Sequence, residues 1–221
     1  MKRSMILMII IFLAGILQAC QGSANQPATI TPPPEMDNST GQPVVPEVFV
    51  PISACDNFFL PLNTGTVWTF SDGSAMSVGP FEGDDAKGST IAVKLFPDGK
   101  LEKYYIECAG GKTEIVKVAT LDEDLNETGS QTMGEITGGV CESRIILPEA
   151  EKMAPGNSWQ QCETACRVIL DQTISIELGT FKTRRVECDD GLVRWYAPQF
   201  GLLKSCTGDT CAELIKMVAP N

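Results

Sequence analysis

The sequence of 221 residues contains no histidine. This absence excludes Ser/His/Asp and Cys/His catalysis and every metal site that depends on an imidazole ligand. The redox motif Cys-x-x-Cys is absent as well, which argues against a thiol-exchange protein. We find no other catalytic constellation, so we predict a non-enzymatic protein without a metal ion or a cofactor.

The N-terminus lacks an apolar run long enough to span a bilayer. Residues 5–17 form an apolar run of thirteen residues after the basic residues Lys2 and Arg3, whereas a membrane-spanning helix needs about 20. A short basic start followed by an apolar run of this length is typical of a cleaved export signal. We therefore predict that residues 1–19 are a signal peptide.

The predicted signal ends in Leu17-Gln18-Ala19-Cys20, which resembles the lipobox of bacterial lipoproteins. The resemblance implies that the thiol of Cys20 receives a diacylglyceryl group and that Cys20 becomes the new N-terminus. We expect an extracytoplasmic protein held on a membrane by this anchor, on the outer membrane if the source has one, because Gln21 rather than aspartate follows. The alternative is an ordinary secretory signal that leaves Cys20 free or disulfide-bonded.

The next segment, residues 20–54, is rich in Pro, Gln, Asn, Ser and Thr. Such a composition buries too little apolar surface to offset chain entropy, so we predict an extended tether. Residues 55–221 are enough for one compact domain. The net charge of −11 argues against nucleic acid and against docking on anionic lipid.

The domain shows a two-residue hydrophobic period, clearest in RVILDQTISIEL at residues 167–178, which predicts a half-buried strand. Similar runs lie at residues 66–71, 90–96, 103–108, 113–120, 143–148, 182–188, 192–197, 201–206 and 212–218. Turn residues separate many of these runs, as in Pro97-Asp98-Gly99 and Gly110-Gly111. We predict an all-β, disulfide-rich domain: an antiparallel meander in a closed or half-closed barrel-like sheet, with at most a short helix at residues 148–153.

Nine cysteines are present. If Cys20 carries lipid, eight remain, an even number that is typical of a disulfide framework in an exported chain. Eight cysteines permit 105 disulfide connectivities, and the sequence alone does not choose among them. We expect a hairpin over residues 207–210 to place Cys206 opposite Cys211 and a similar tight loop to join Cys162 to Cys166. The remaining cysteines we pair as Cys55 with Cys108 and Cys141 with Cys188.

Two segments of the domain resemble each other, because Gly65-Thr66-Val67-Trp68 and Gly156-Asn157-Ser158-Trp159 each contain Gly-x-x-Trp before a strand. Together with residues 179–183 and 194–204, they resemble secreted bacterial β domains of unknown function labelled TapB-like. The resemblance implies an envelope β-sheet domain and supplies no catalytic residues. Its Gly-x-x-Trp motifs are explained by a tight turn followed by a Trp that packs in the sheet.

Other candidate sites have simpler explanations. The pairs Asp84-Asp85 and Asp189-Asp190 lie beside glycines and are typical of turns rather than of a hydrolytic carboxylate pair. Residues 122–127 begin like a calcium loop but have Glu127 where that loop has glycine, so we predict a solvated acidic loop and keep a weak calcium site as the alternative. In an oxidising compartment, the closely spaced cysteines indicate disulfides rather than zinc.

Two functional hypotheses remain. The first is a lipoprotein whose β domain serves as an interaction or scaffold module for a protein partner, with its tryptophans packed in the core. The second is a carrier whose half-closed sheet shields an apolar ligand, as lipoprotein-carrier folds of the bacterial envelope do. In that case the apolar faces of residues 91–95 and 168–178 line the site, and Trp68, Trp159, Trp195, Tyr104, Tyr105 and Tyr196 are aromatic candidates. Core filling by tryptophan favours the first hypothesis.

Overall fold

A computed structural model of the chain describes residues 53–219. The predicted signal peptide, the lipobox with Cys20 and nearly all of the predicted tether lie outside these residues. Within the described range, the chain contains no helix that is both long and apolar enough to cross a membrane.

The first half of the domain is an antiparallel meander of six strands, here called the N-terminal meander. The strands are β3 (Val67–Phe70), β4 (Ala75–Gly83), β5 (Lys87–Leu95), β6 (Leu101–Ala109), β7 (Lys112–Leu121) and β8 (Glu127–Thr132). A short hairpin of β1 (Asp56–Asn57) and β2 (Leu60–Pro61) precedes it. The short helix α1 (Met133–Ile136) and the strand β9 (Arg144–Leu147), which pairs with β7, follow it.

The second half is another antiparallel meander of six strands, the C-terminal meander. Its strands are β10 (Ser158–Gln161), β11 (Thr164–Ile176), β12 (Gly179–Cys188), β13 (Leu192–Ala197), β14 (Gly201–Thr207) and β15 (Thr210–Val218). Pairing of β15 with β3 joins the two meanders into one sheet. A 3₁₀ helix at Ala150–Met153 lies before β10, within the segment for which a short helix was predicted.

The predicted all-β antiparallel class is confirmed, but the sheet is not closed into a barrel. Among the described residues, no backbone ladder joins β9, at one end, to β10, at the other. Side chains connect the two ends instead: Cys141 is bonded to Cys162, and Gln161 Nε2 donates to the carbonyl oxygen of Ile146 at 3.2 Å. The closed alternative is therefore wrong, because the ladder is open between β9 and β10.

Glycine and aspartate residues form the turns of the predicted hairpins. Gly110 and Gly111 link β6 to β7 with φ angles of 57° and 79°, the left-handed region in which glycine avoids the steric clash of a Cβ atom. Asp98 and Asp190 use their carboxylates to accept hydrogen bonds from backbone amides two residues ahead, as turn-forming aspartates do.

The two meanders repeat the same hydrogen-bonded pattern. Gly65 and Gly156 have φ angles of 87° and 90°, and their amides donate to the carbonyl oxygens of Val78 and Val168 at 2.9 and 2.8 Å. The amides of Val78 and Val168 return hydrogen bonds to Thr66 and Asn157, each at 2.9 Å. The two Gly-x-x-Trp segments therefore start structurally equivalent units.

The equivalence continues across the strands. Trp68 pairs with Met76 and Met76 with Lys94, while Trp159 pairs with Cys166 and Cys166 with Cys188. Irregularities also recur at matching places, after Val78 and Val168 and again after Tyr105 and Trp195. By this register, Tyr104 in the N-terminal meander corresponds to Arg194 in the C-terminal one.

The core lies on the inner, concave face of the sheet. Trp68, Leu147, Val168, Val186, Leu203 and Leu214 are among its fully buried members. The distal part of β11, by contrast, extends with β12 beyond β13, which pairs only with residues 184–187 of β12. Leu170 has a different cause for its 39% exposure: an irregularity of the β11–β12 ladder between Val168 and Leu170 interrupts the alternation that buries Val168.

Candidate functional site

The eight cysteines of the predicted framework form four disulfides in the structure. Cys55 is bonded to Cys108 and Cys206 to Cys211, which are the predicted pairings. Cys206 and Cys211 face each other across the β14–β15 hairpin with Cα atoms 4.1 Å apart.

The other two predicted pairings are wrong. Cys162 is bonded to Cys141, and Cys166 is bonded to Cys188. Cys166 lies directly opposite Cys188 in the β11–β12 ladder, with Cα atoms 4.0 Å apart. Cys162 lies in the turn between β10 and β11 at a φ of 53°, from which it reaches the segment between α1 and β9. We paired Cys162 with Cys166 because they are close in the sequence. Strand register, and not closeness in the sequence, determines which cysteines meet.

The acidic candidates form turns. The Asp84 carboxylate accepts hydrogen bonds from the amides of Ala86 and Lys87 at 2.8 and 2.9 Å, and these bonds lower the pKa of Asp84. The Asp122 carboxylate likewise accepts from the amides of Asp124 and Asn126 at 3.0 and 2.8 Å. Residues 53–219 contain no group of three or more His, Cys, Asp or Glu side chains placed to hold a metal ion.

A cavity of about 220 Å³ opens on the concave face of the sheet. Strands of both meanders and the β1–β2 hairpin contribute to its wall. The apolar part of the wall includes Leu62, Trp68, Met76, Ile106, Ile146 and Leu202. Trp68 is 1% exposed, and its indole nitrogen donates to the carbonyl oxygen of Phe200 at 2.8 Å, so its ring is fixed in the wall and does not fill the cavity.

The aromatic candidates divide into three groups. Trp68, Tyr104 and Tyr196 line the cavity. Trp159 is buried in the core outside the cavity wall. Tyr105 and Trp195 instead lie under cations, with Lys117 4.4 Å from the Tyr105 ring centroid and Lys204 5.7 Å from that of Trp195.

Three cationic side chains also line this apolar cavity: Lys94 on β5, Arg144 on β9 and Arg194 on β13. None of the three forms an ion pair within 4.0 Å in the described part of the chain. Many other cations of the domain do, including Lys103 with Glu127 and Lys204 with Glu213. A chain with a net charge of −11 therefore gathers three cations without carboxylate partners around one apolar site.

Burial lowers the pKa of Lys94, and the positive charges of Arg194 and Arg144 lower it further. The negative charges of Glu102 and Asp72 act in the opposite direction without reversing the shift. The structure thus places Lys94 where its charge is poorly solvated and repelled by two neighbours.

Glu102, the acidic group that acts most strongly on Lys94, is already engaged. Glu102 accepts a hydrogen bond from the Tyr104 hydroxyl at 2.7 Å and pairs with Lys100 at 2.6 Å. Burial raises the pKa of Glu102, but the hydrogen bonds from Lys100 and Tyr104 outweigh that effect and leave it below its ordinary value. Burial, together with the hydrogen bond to Glu102, raises the pKa of Tyr104, which keeps its hydroxyl protonated as a donor.

The lining proposed from the sequence for a carrier is wrong. The inner face of β5 carries Thr90 and Ala92, which are 3% and 0% exposed, and Lys94. Ile91, Val93 and Leu95 alternate with these residues and so lie on the other face. No residue of 168–178 lines the cavity either. Because both faces of β5 carry apolar residues, alternation alone did not show which face was inside.

No family model matches the sequence, and no curated protein matches it. Two solved structures are similar. One is a Bacteroides fragilis protein ascribed to the exported proteins and to a YmcC-like fold, with 15% identity, a TM-score of 0.46 and coverage of 74% of this chain and 100% of that chain. The other is a Parabacteroides distasonis protein ascribed to the lipoproteins, with 13% identity, a TM-score of 0.36 and coverage of 73% and 99%. Both TM-scores are below 0.5, so we base no argument on them, and the TapB-like resemblance stays a prediction.

Proposed function

We propose that the protein is a non-enzymatic, lipid-anchored lipoprotein of the bacterial cell envelope whose β domain binds an apolar group in the cavity of its half-closed sheet. The observation that carries this proposal is the cavity of about 220 Å³ whose wall includes residues of both meanders. The predicted signal peptide and lipobox, together with four disulfides, support an extracytoplasmic location.

The cavity now favours the carrier hypothesis over the scaffold hypothesis. The scaffold hypothesis relied on tryptophans that fill the concave side of the sheet. Of the three, only Trp68 reaches the cavity, and it forms part of the wall. Exposed Leu170 and Leu178 on the β11–β12 ribbon, 39% and 42% accessible, are the observation that favours a protein partner.

The size of the cavity limits the ligand. The volume of the cavity is about 220 Å³. Sites for drug-sized ligands are larger, about 300–1,000 Å³. The cavity therefore suits one short alkyl segment or the end of a longer chain.

Calorimetric titration with octan-1-ol tests this proposal. The sample is residues 21–221, exported behind a cleavable secretory signal, so that the whole mature chain is present without its lipid-bearing cysteine. We expect saturable binding of one molecule with a negative heat-capacity change, the mark of buried apolar surface. Absence of saturable binding to the unaltered chain would refute the proposal.

Two matched variants locate the site. Ala75 lines the cavity, so Ala75→Trp fills it and abolishes octanol binding. Ala109 is exposed at the end of β6, and Ala109→Trp leaves binding unchanged. Equal loss in both variants, or in neither, would place octanol outside the cavity.

A further inference from the structure

We infer that the ligand of this cavity is an anionic amphiphile, whose alkyl tail enters the apolar wall and whose carboxylate or phosphate head lies among Lys94, Arg144 and Arg194. This inference rests on the proposed function and adds the chemical class of the ligand. Three observations carry it: the location of the three cations, their lack of carboxylate partners, and the acidic character of the rest of the chain.

The location of the cations is a product of the tertiary fold. Lys94 lies opposite Met76 in the ladder, Arg144 opposite Ile115, and Arg194 opposite Ser205. These positions belong to three strands that are not neighbours in the sheet. Curvature of the sheet brings them to the same cavity wall, where apolar side chains of the same strands, Ile146 and Tyr196, continue inward.

Lys94 lies over the ring of Phe96, with its Nζ 4.4 Å from the ring centroid, but this contact supplies no anion, and the acidic groups nearby have other partners. Nearby Glu102 is occupied by Lys100 and Tyr104, and Asp72 accepts hydrogen bonds from the amide and the hydroxyl of Ser74 at 2.9 and 2.6 Å. Arg194 and Arg144 both repel the Lys94 ammonium, so the placement of Lys94 beside them opposes folding until an anion neutralises it.

The chemistry of the three side chains fits an oxyanion. A guanidinium presents paired donors that match two oxygens of a carboxylate or a phosphate, and a lysine ammonium adds a compact charge. Around an apolar cavity these donors also have little competition from water. A neutral ligand leaves the three charges uncompensated, and a cationic ligand adds to the repulsion.

The test compares four ligands of equal tail length on residues 21–221: octanoate, octyl phosphate, octan-1-ol and octylammonium. At pH 8 we expect octanoate and octyl phosphate to bind roughly tenfold or more tightly than octan-1-ol, the gain of one hydrogen bond to a charged group, and octylammonium to bind more weakly. Added salt weakens the two anions and leaves octan-1-ol unchanged. The ratio of the two anions tells a carboxylate site from a phosphate site.

Variants assign the effect to the three side chains. Lys94→Met, Arg144→Met and Arg194→Met each lower the affinity for octanoate relative to that for octan-1-ol by roughly threefold to tenfold. Circular dichroism and urea unfolding show that each variant is folded. Lys216→Met, which removes an exposed cation of β15, changes neither affinity.

The outcomes separate this inference from the proposal beneath it. Equal affinity for octanoate and octan-1-ol, or tighter binding of octylammonium, overturns the anionic ligand and leaves an apolar site. Failure of all four ligands overturns both.

Discussion

The two meanders use the same strand pattern for different purposes. In the C-terminal meander, Trp159, Cys166 and Cys188 form a row of residues that lie opposite one another on three adjacent strands, and a disulfide joins the two cysteines. In the N-terminal meander, the equivalent row from Trp68 continues into Met76 and Lys94, both of which line the cavity. One row is crosslinked, whereas the other is left open beside a cation. The difference indicates that one unit supplies stability and the other supplies much of the cavity wall.

The distribution of crosslinks follows the same division. Two disulfides lie wholly within the C-terminal meander, Cys166–Cys188 and Cys206–Cys211. The N-terminal meander contains a single cysteine, Cys108, and its bond leads outward to Cys55 before β1. The fourth bond, Cys141–Cys162, holds the two ends of the sheet together.

The largest expected effect comes from the equivalent tryptophans. Replacing either Trp68 or Trp159 by Ala costs about 3–5 kcal/mol, the usual range for a buried aromatic residue. Phe substitutions distinguish the two positions. Trp68→Phe also leaves the Phe200 carbonyl without its donor, at an additional cost of about 1–3 kcal/mol. The indole nitrogen of Trp159 has no hydrogen-bond partner among the described residues, so Trp159→Phe loses no polar contact. Urea unfolding measures both, and equal costs would contradict this account.

The stability lost when a disulfide is removed from the C-terminal meander should increase with the length of the loop that the disulfide closes. Cys166 and Cys188 are 22 residues apart, and Cys206 and Cys211 are 5 apart. Loop-closure entropy predicts losses of about 3 and about 2 kcal/mol for the paired Ala substitutions. Guanidinium unfolding under non-reducing conditions compares the two. A larger loss at the short loop would show that chain entropy does not govern this meander.

Transfer of the disulfide to the N-terminal meander tests the equivalence directly. Met76→Cys with Lys94→Cys reproduces the Cys166–Cys188 pair at the matching register. We expect the bond to form, to stabilise the domain by up to about 3 kcal/mol and to abolish octanoate binding. Met76→Ser with Lys94→Ser, which makes the same two replacements without the ability to form a disulfide, is the control for the bond itself. If the thiols remain free in an oxidising buffer, the two rows differ in geometry.

The smallest effect is a gain in stability on removal of Lys94. Burial and Arg194 lower its pKa in the folded state, so between that value and 10.5 the unfolded chain binds more protons than the folded one. The free energy of unfolding therefore rises with pH through this window. At pH values below the window, Lys94 is charged in both states, and the folded state is destabilised by the full cost of burying that charge. Lys94→Met removes that cost at neutral pH and removes the rise. Thermal unfolding from pH 7 to pH 10.5, with Lys216→Met as control, checks the sign.

Much of the strand content follows from local pattern, and the exceptions have physical causes. The long runs at residues 103–108 and 192–197 were predicted because one face of each is apolar and the hairpins between strands carry Gly and Asp. Strand β8 was missed because all of its residues are exposed, so no alternation exists to find. Strand β4 was missed because Gly79 and Pro80 interrupt it at an irregularity of the ladder, the place where proline is tolerated in a sheet.

The sequence by itself determined the strand class, the hairpins and the even set of cysteines, because a two-residue period and turn chemistry are local properties. Only the tertiary structure decided which face of β5 is inner, which cysteines meet, and that Lys94, Arg144 and Arg194 share one cavity. These three features depend on register and curvature between strands that are far apart in the chain. No local pattern of side chains encodes that arrangement.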